Sequence, residues 1–177
     1  VQTGYMMFGW LGPRAAELKD SICLDLISII FGDGSSSRLQ QNLIEKLPEQ
    51  IFNMIGSEHY QFKDGNNFFI QANFKPEYKE KALELVKQEL GNLLTNRITE
   101  EELAKAKKRT KSRFAYAAET VSEIGETIGY YVTVCDDLKL IEDYLADLDS
   151  ITVDDLENAI KKYLSLNNSV ISVLMPE

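Results

Sequence analysis

The stretch FGDGSSSRLQQNLIEK, residues 31–46, gathers the residue types most able to do chemistry: two glycines around Asp33, three serines, then Arg38. A loop of this make-up ahead of a helix could cradle a phosphate on free backbone N–H groups. The nucleotide-binding version requires Gly-x-x-x-x-Gly-Lys-Ser/Thr directly after a strand. Here Gly32 and Gly34 are separated by a single residue, no lysine follows them, and an apolar helical pattern precedes them. Asp33 would also repel a phosphate. The stretch therefore reads as a helix–helix connection, with Ser36 or Ser37 as the cap of the second helix. Arg38 falls in the first turn of that helix, where the macrodipole disfavours a cation. That misfit points to a tertiary contact for its guanidinium.

The other chemical candidates are sparse. His59 is the only histidine, so no paired-histidine zinc motif can be completed within the chain. It lies in an expected strand and reads as a structural or surface side chain. Cys23 and Cys135 are far apart and neither forms a Cys-x-x-Cys pair. No Gly-x-Ser-x-Gly elbow is present. The acidic pairs Asp136–Asp137 and Asp154–Asp155 read as turn and helix-start residues rather than a catalytic dyad. KAKKRTKSR, residues 105–113, reads as the solvated face of a helix. With 19 basic and 28 acidic residues the net charge is −9 and the pI about 4.7. That balance argues against nucleic acid and anionic membranes as partners. No apolar run reaches the roughly 18 residues a membrane helix needs. The chain starts at Val1 without a signal-peptide pattern, and is expected to be a piece of a longer protein.

The elements that must position these residues follow from periodicity. Residues 1–12 read as a strand with apolar side chains on both alternation sets, which predicts cover on both faces. Residues 15–31 and about 37–46 read as helices, the second stopped by Pro48. Residues 50–62 and 66–74 read as strands joined at Asp64–Gly65. Pro76 opens a helix carrying Tyr78, Ala82, Val86 and Leu90 on one stripe. Thr99 and Thr152 each start a helix, with Glu102 and Asp155 three residues on and an apolar staple across the turn. The first of these turns Leu103, Ala106, Thr110, Phe114 and Ala117 inward. Gly125 and Gly129, four apart in a further helix, predict close helix packing. NSVISVLM closes the chain as a strand. The expectation is one α+β domain over residues 1–177: a two-layer sandwich, a mostly antiparallel sheet with helices packed on it.

Taken together, these segments resemble the second, non-zinc domain of the insulinase-like zinc metallopeptidases, a family that includes pitrilysin and the mitochondrial processing peptidase. The stretch 31–46 is similar to its Gly-x-Gly-x-Ser-Ser-Arg-Leu…Glu-Lys segment, through Gly34, Ser36, Ser37, Arg38, Leu39, Glu45 and Lys46. KDGNNFFIQANFKPEYKEKALELVKQEL, ITEEELAKAKKRTKSRF and the region from 144 to 176 resemble its later segments in order. The resemblance implies a ferredoxin-like fold with helices on one face and no catalytic or metal-binding residue in this segment. It implies a homologous domain in the same chain that carries zinc on His-x-x-Glu-His, and a second half, as homo- or hetero-oligomer, enclosing a chamber for peptide substrates. Ile44 stands where catalytically assisting members carry arginine, and Ile51 or Phe52 where they carry tyrosine. On that resemblance Ile44, Ile51 and Phe52 are expected to give the chamber apolar surface and no polar contact, the missing pair coming from another half. An inactive assembly subunit of the same fold, and an unrelated ligand-binding module, are the competing readings. The protein is expected to be soluble, cytoplasmic or periplasmic.

Overall fold

Met6, Phe8 and Trp10 alternate with Tyr5, Met7 and Gly9 along β1 (Gly4–Leu11), and only the first set is buried. A computed structural model describes residues 2–176, so the expected strand start at Val1 lies outside the described residues. After β1 come α1 (Leu18–Gly32) and α2 (Arg38–Gln40), which widens into a π turn over Gln41–Glu45. The hairpin is β2 (Phe52–Tyr60) and β3 (Asn67–Phe74). A 3₁₀ turn, Pro76–Tyr78, leads into α3 (Lys79–Thr95), followed by α4 (Glu100–Tyr116) and α5 (Val121–Thr133). Then come α6 (Leu140–Leu148), α7 (Val153–Tyr163) and β4 (Val170–Leu174). No helix among them is long and apolar enough to cross a membrane.

The sheet order is β2-β3-β1-β4, with every neighbouring pair antiparallel. Counted from the β4 edge this is 4-1-3-2, the ferredoxin-like arrangement. α1 crosses from β1 to β2 and lies against β2 and β3, α7 and α4 pack on α1, and α3 packs on α7. The core lies between these helices and the face made by Phe8, Trp10, Ile55, Phe68, Ile70 and Phe74. Trp10 is anchored there by its indole Nε1–H, which donates to the Ser165 carbonyl at 2.8 Å.

Local grammar explains the boundaries of the helices. Thr99 accepts from the Glu102 N–H while the Glu102 carboxylate accepts from Thr99, and Thr152 with Asp155 repeats the box. Ile98 and Leu103, and Ile151 and Leu156, are buried across those turns.

Three expectations need correction. β1 is not covered on both faces: Tyr5 and Met7 are each 42% exposed and Leu11 80%. The cause is that the helices touching the sheet all lie on one side. On the open side Met54, Tyr60, Val170 and Leu174 join Tyr5 and Met7. Gly125 and Gly129 serve no close packing, since a Cβ at either would meet nothing within 4 Å. Ser37 precedes α2 but does not cap it; its hydroxyl donates to the Gly34 carbonyl at 2.7 Å.

Candidate functional site

The motif at 31–46 folds into a brace between the first helices and α4. Arg38 projects from α2 and donates through Nε and Nη2 to the two carboxylate oxygens of Glu102, at 2.7 and 2.9 Å. The same guanidinium reaches the Asn96 and Arg97 carbonyls at 3.0 and 3.1 Å, the orphan acceptors after α3. Burial works to raise the Glu102 carboxyl, but the Arg38 and Thr99 hydrogen bonds outweigh it and hold the group below its ordinary range. At the other end of α4, Arg109 donates to the Asp33 carboxylate at 2.7 Å and to its carbonyl at 2.6 Å, and Arg113 takes the second carboxylate oxygen. Gly34 has a φ of +93°, and a side chain there would run into Arg109. The anions and cations of this region satisfy each other, which leaves no phosphate cradle.

The remaining motif residues take lesser places. Leu39 is buried in the core, whereas Ser36, Glu45 and Lys46 are exposed. Lys46 reaches Asn42 at 3.1 Å. Ile44 is half-buried against the core, and Ile51 and Phe52 are buried within it. Ile51 and Phe52 therefore offer no apolar surface to a chamber, because the chain entering β2 turns both into the helix-covered layer. The basic run 105–113 is largely spent within the molecule: besides Arg109 and Arg113, Lys107 binds the Asp149 and Ile151 carbonyls and Lys111 the Asp149 carboxylate.

A second polar group lies where β2 meets α1, α4 and α6, around a cavity of about 510 Å³. Its hub is Asp25, the one carboxylate inside the apolar run of α1. It accepts from His59 Nδ1 at 2.6 Å, Gln61 Nε2 at 2.8 Å and the Tyr144 hydroxyl at 2.8 Å. Because Asp25 is the acceptor, Nδ1 carries a proton, and in the neutral imidazole Nε2 then presents a lone pair. The His59 side chain is 0% exposed, and Nε2 has no partner. Thr110, also lining the cavity, has a buried hydroxyl without a partner. Burial drives the Tyr144 hydroxyl well above its ordinary pKa, and the Asp25 charge adds to the shift. Sequence reasoning placed His59 in a strand and Thr110 inward but did not join them. The legible signal was Asp25 itself, since a carboxylate within an apolar helix needs donors.

Zinc does not fit the residues present. Among the described residues no three of His, Cys, Asp and Glu stand close enough to hold a metal ion, and His59 Nδ1 is already taken. Cys23 is buried, which pushes its thiol up to about 12.

Comparison with known proteins agrees with this geometry. The chain is 30% identical over 179 residues to the zinc protease PqqE of Helicobacter pylori, covering 99% of this chain and 39% of that protein. A crystal structure of a protease from Helicobacter pylori superposes with a TM-score of 0.87 at 28% identity, covering 99% of this chain and 42% of the other. The peptidase M16 inactive domain from Pseudomonas fluorescens shares the fold, with a TM-score of 0.82 at 23% identity over 98% of this chain and 40% of the other. The chain thus spans about two fifths of the length of the curated relatives it matches. The family model described as the peptidase M16 inactive domain matches residues 1–110, and the chain belongs to that zinc metallopeptidase family.

Proposed function

We propose that this domain is the catalytically silent member of a pair: its open sheet face packs on a zinc-bearing companion domain of the same polypeptide, and the two wall a chamber for peptide substrates. A second half, a further copy or a related chain, closes the chamber and supplies the arginine and tyrosine that Ile44 and Ile51 or Phe52 replace. Gly34, Ser37, Arg38 and Leu39 act as a brace that keeps this wall rigid, Ser36, Glu45 and Lys46 stay on its surface, and none of them touches substrate.

The observation that carries the reading is the uncovered face. Tyr5, Met7, Leu11, Val170 and Leu174 expose apolar surface on this face along β1 and β4, and Met54 and Tyr60 add to it on β2, beyond Asn67, Gln71 and Asn73 of β3. Soluble chains rarely leave such a patch without a partner. The relatives' greater length gives room for one: the chain covers 39% of a protein named a zinc protease.

The test is co-expression of this chain with the remainder of the longer polypeptide as a separate chain. The two should co-purify and together cleave an unstructured peptide. Met7→Asp combined with Val170→Asp should abolish both association and cleavage while shifting the Tm of this domain by less than about 4 °C. Undiminished association of the double variant, or full peptide turnover by the companion alone, overturns the reading.

A further inference from the structure

The cavity around Asp25 has an unfinished hydrogen-bond arrangement. Ser28 and Ser57 spend their hydroxyls on the Asp25 and Ser28 carbonyls, at 2.7 and 3.0 Å. Gln61 spends its amide N–H and Tyr144 its hydroxyl on the Asp25 carboxylate. What is left over is His59 Nε2 and Thr110 Oγ1, both buried, on two residues that line the same 510 Å³ space. Two unpaired buried polar atoms are costly, and their coincidence at one cavity signals a ligand.

The chemistry of the walls selects which ligand. Nε2 is an acceptor while Nδ1 donates to Asp25, and a threonine hydroxyl accepts as readily as it donates. The charges lean negative. Asp33 is offset by Arg109 and Arg113, but Glu58 accepts only from the Tyr60 hydroxyl and Gln71. Asp25 is paired with no lysine or arginine among the described residues and accepts from His59, Gln61 and Tyr144. Phe114 and Tyr144, packed on each other with ring centroids 5.0 Å apart, add aromatic surface to the walls, which tolerates an alkyl chain. An anion would meet Asp25 and Glu58. An apolar guest would leave both orphan atoms unpaired. A divalent metal would find one imidazole and no cluster of three ligands among the described residues.

We propose that this cavity binds a primary alkylammonium group, whose N–H donors pair with His59 Nε2 and Thr110 Oγ1. The group is the side chain of a lysine in a peptide or a free alkylamine. His59 and Thr110 lie on the helix-covered side at the β2 edge; the cavity also reaches Met54 and Tyr60 of the open face, but the amine reading does not rest on the companion-domain reading.

His59 is the only histidine, so the 177-residue chain has a single imidazole to follow in long-range ¹H–¹⁵N spectra. N-acetyl-lysine-methylamide and butylamine are titrated against N-acetyl-norleucine-methylamide and N-acetyl-glutamate-methylamide. The lysine compound or butylamine should shift Nε2 saturably, and the tighter of the two identifies the source. Norleucine and glutamate should bind at least about tenfold more weakly. Thr110→Val, which removes no hydrogen bond of the free protein, should weaken amine binding by about tenfold with no loss of Tm. No saturable shift with either amine up to about 10 mM, equal binding of norleucine or glutamate, or unchanged affinity in Thr110→Val overturns the proposal. Association with the companion domain is read separately, by co-purification, so failure of either idea leaves the other standing.

Discussion

Arg38 and Asp25 each anchor a polar network in the helix layer, one on the α2–α4 side and one where α1 meets β2. Around Arg38 every strong donor found in the network has an acceptor: Glu102, the Asn96 and Arg97 carbonyls, and beyond them Asp33 with Arg109 and Arg113. Around Asp25 three donors converge, yet the imidazole nitrogen on the far side and a neighbouring threonine hydroxyl are left bare. A finished network of half-buried charges rigidifies, because any motion breaks several bonds at once. An unfinished one is held open by the fold around it and has capacity to receive a guest. The conspicuous residues of the sequence, the Gly-Ser-Arg stretch, built the finished network. The inconspicuous ones built the other.

The contrast is sharpest in the cost of truncation. Arg38→Ala removes four hydrogen bonds and strands the half-buried Glu102 carboxylate; it should destabilise the domain by about 3 kcal/mol in urea unfolding. Arg38→Lys should recover less than half of that, since an ammonium cannot match the two carboxylate oxygens and two carbonyls together. Asp25→Asn keeps an acceptor for Gln61 or Tyr144 but removes the charge opposite His59, and should cost about 2 kcal/mol. A loss larger than that of Arg38→Ala would reverse the ranking of the two networks.

Acidification should weaken the finished network through Glu102, and two further ion pairs of the domain with it. Glu102, Asp20 and Asp155 each have a depressed folded pKa; burial opposes the shift, and hydrogen bonds from Arg38, from Lys162 and Tyr163, and from Lys19 and Thr152 outweigh it. A depressed carboxylate contributes stability that is present above its unfolded value, near 3.8 for Asp and 4.5 for Glu, and is lost as pH falls through the folded value. Urea midpoints should therefore drop as pH is lowered from 7 to about 3, and Arg38→Ala should flatten part of that slope. The smallest effect belongs to the unfinished network: Thr110→Val should leave stability within about 0.5 kcal/mol of wild type or raise it, as measured by thermal unfolding.

Local chemistry made much of the fold legible. Thr99 with Glu102 and Thr152 with Asp155 mark two helix starts that the structure reproduces to the hydrogen bond. The Asp64–Gly65 turn and the terminal strand gave the antiparallel order its ends. Arg38 was marked by its misfit with the helix dipole. What stayed hidden depends on distance along the chain. Tyr144 is 119 positions from Asp25 and His59 is 34, and no periodicity links them. Ile51 and Phe52 look alike as surface or core in sequence; only the direction in which the chain enters β2 decides. The open sheet face was misjudged for a related reason: apolar residues on both sides of β1 announce two contacts, but not whether the second lies within the described chain.

The Trp10–Ser165 bond has an experimental consequence. Trp10 is the single tryptophan, and it is buried on the first strand while its indole is tied to the segment that follows α7. Its emission is thus an intrinsic optical gauge of whether the carboxy-terminal region has docked onto the amino-terminal strand. In stopped-flow refolding, the blue shift of this one fluorophore will time the joining of the two ends, a long-range closure that helix signals in circular dichroism do not see.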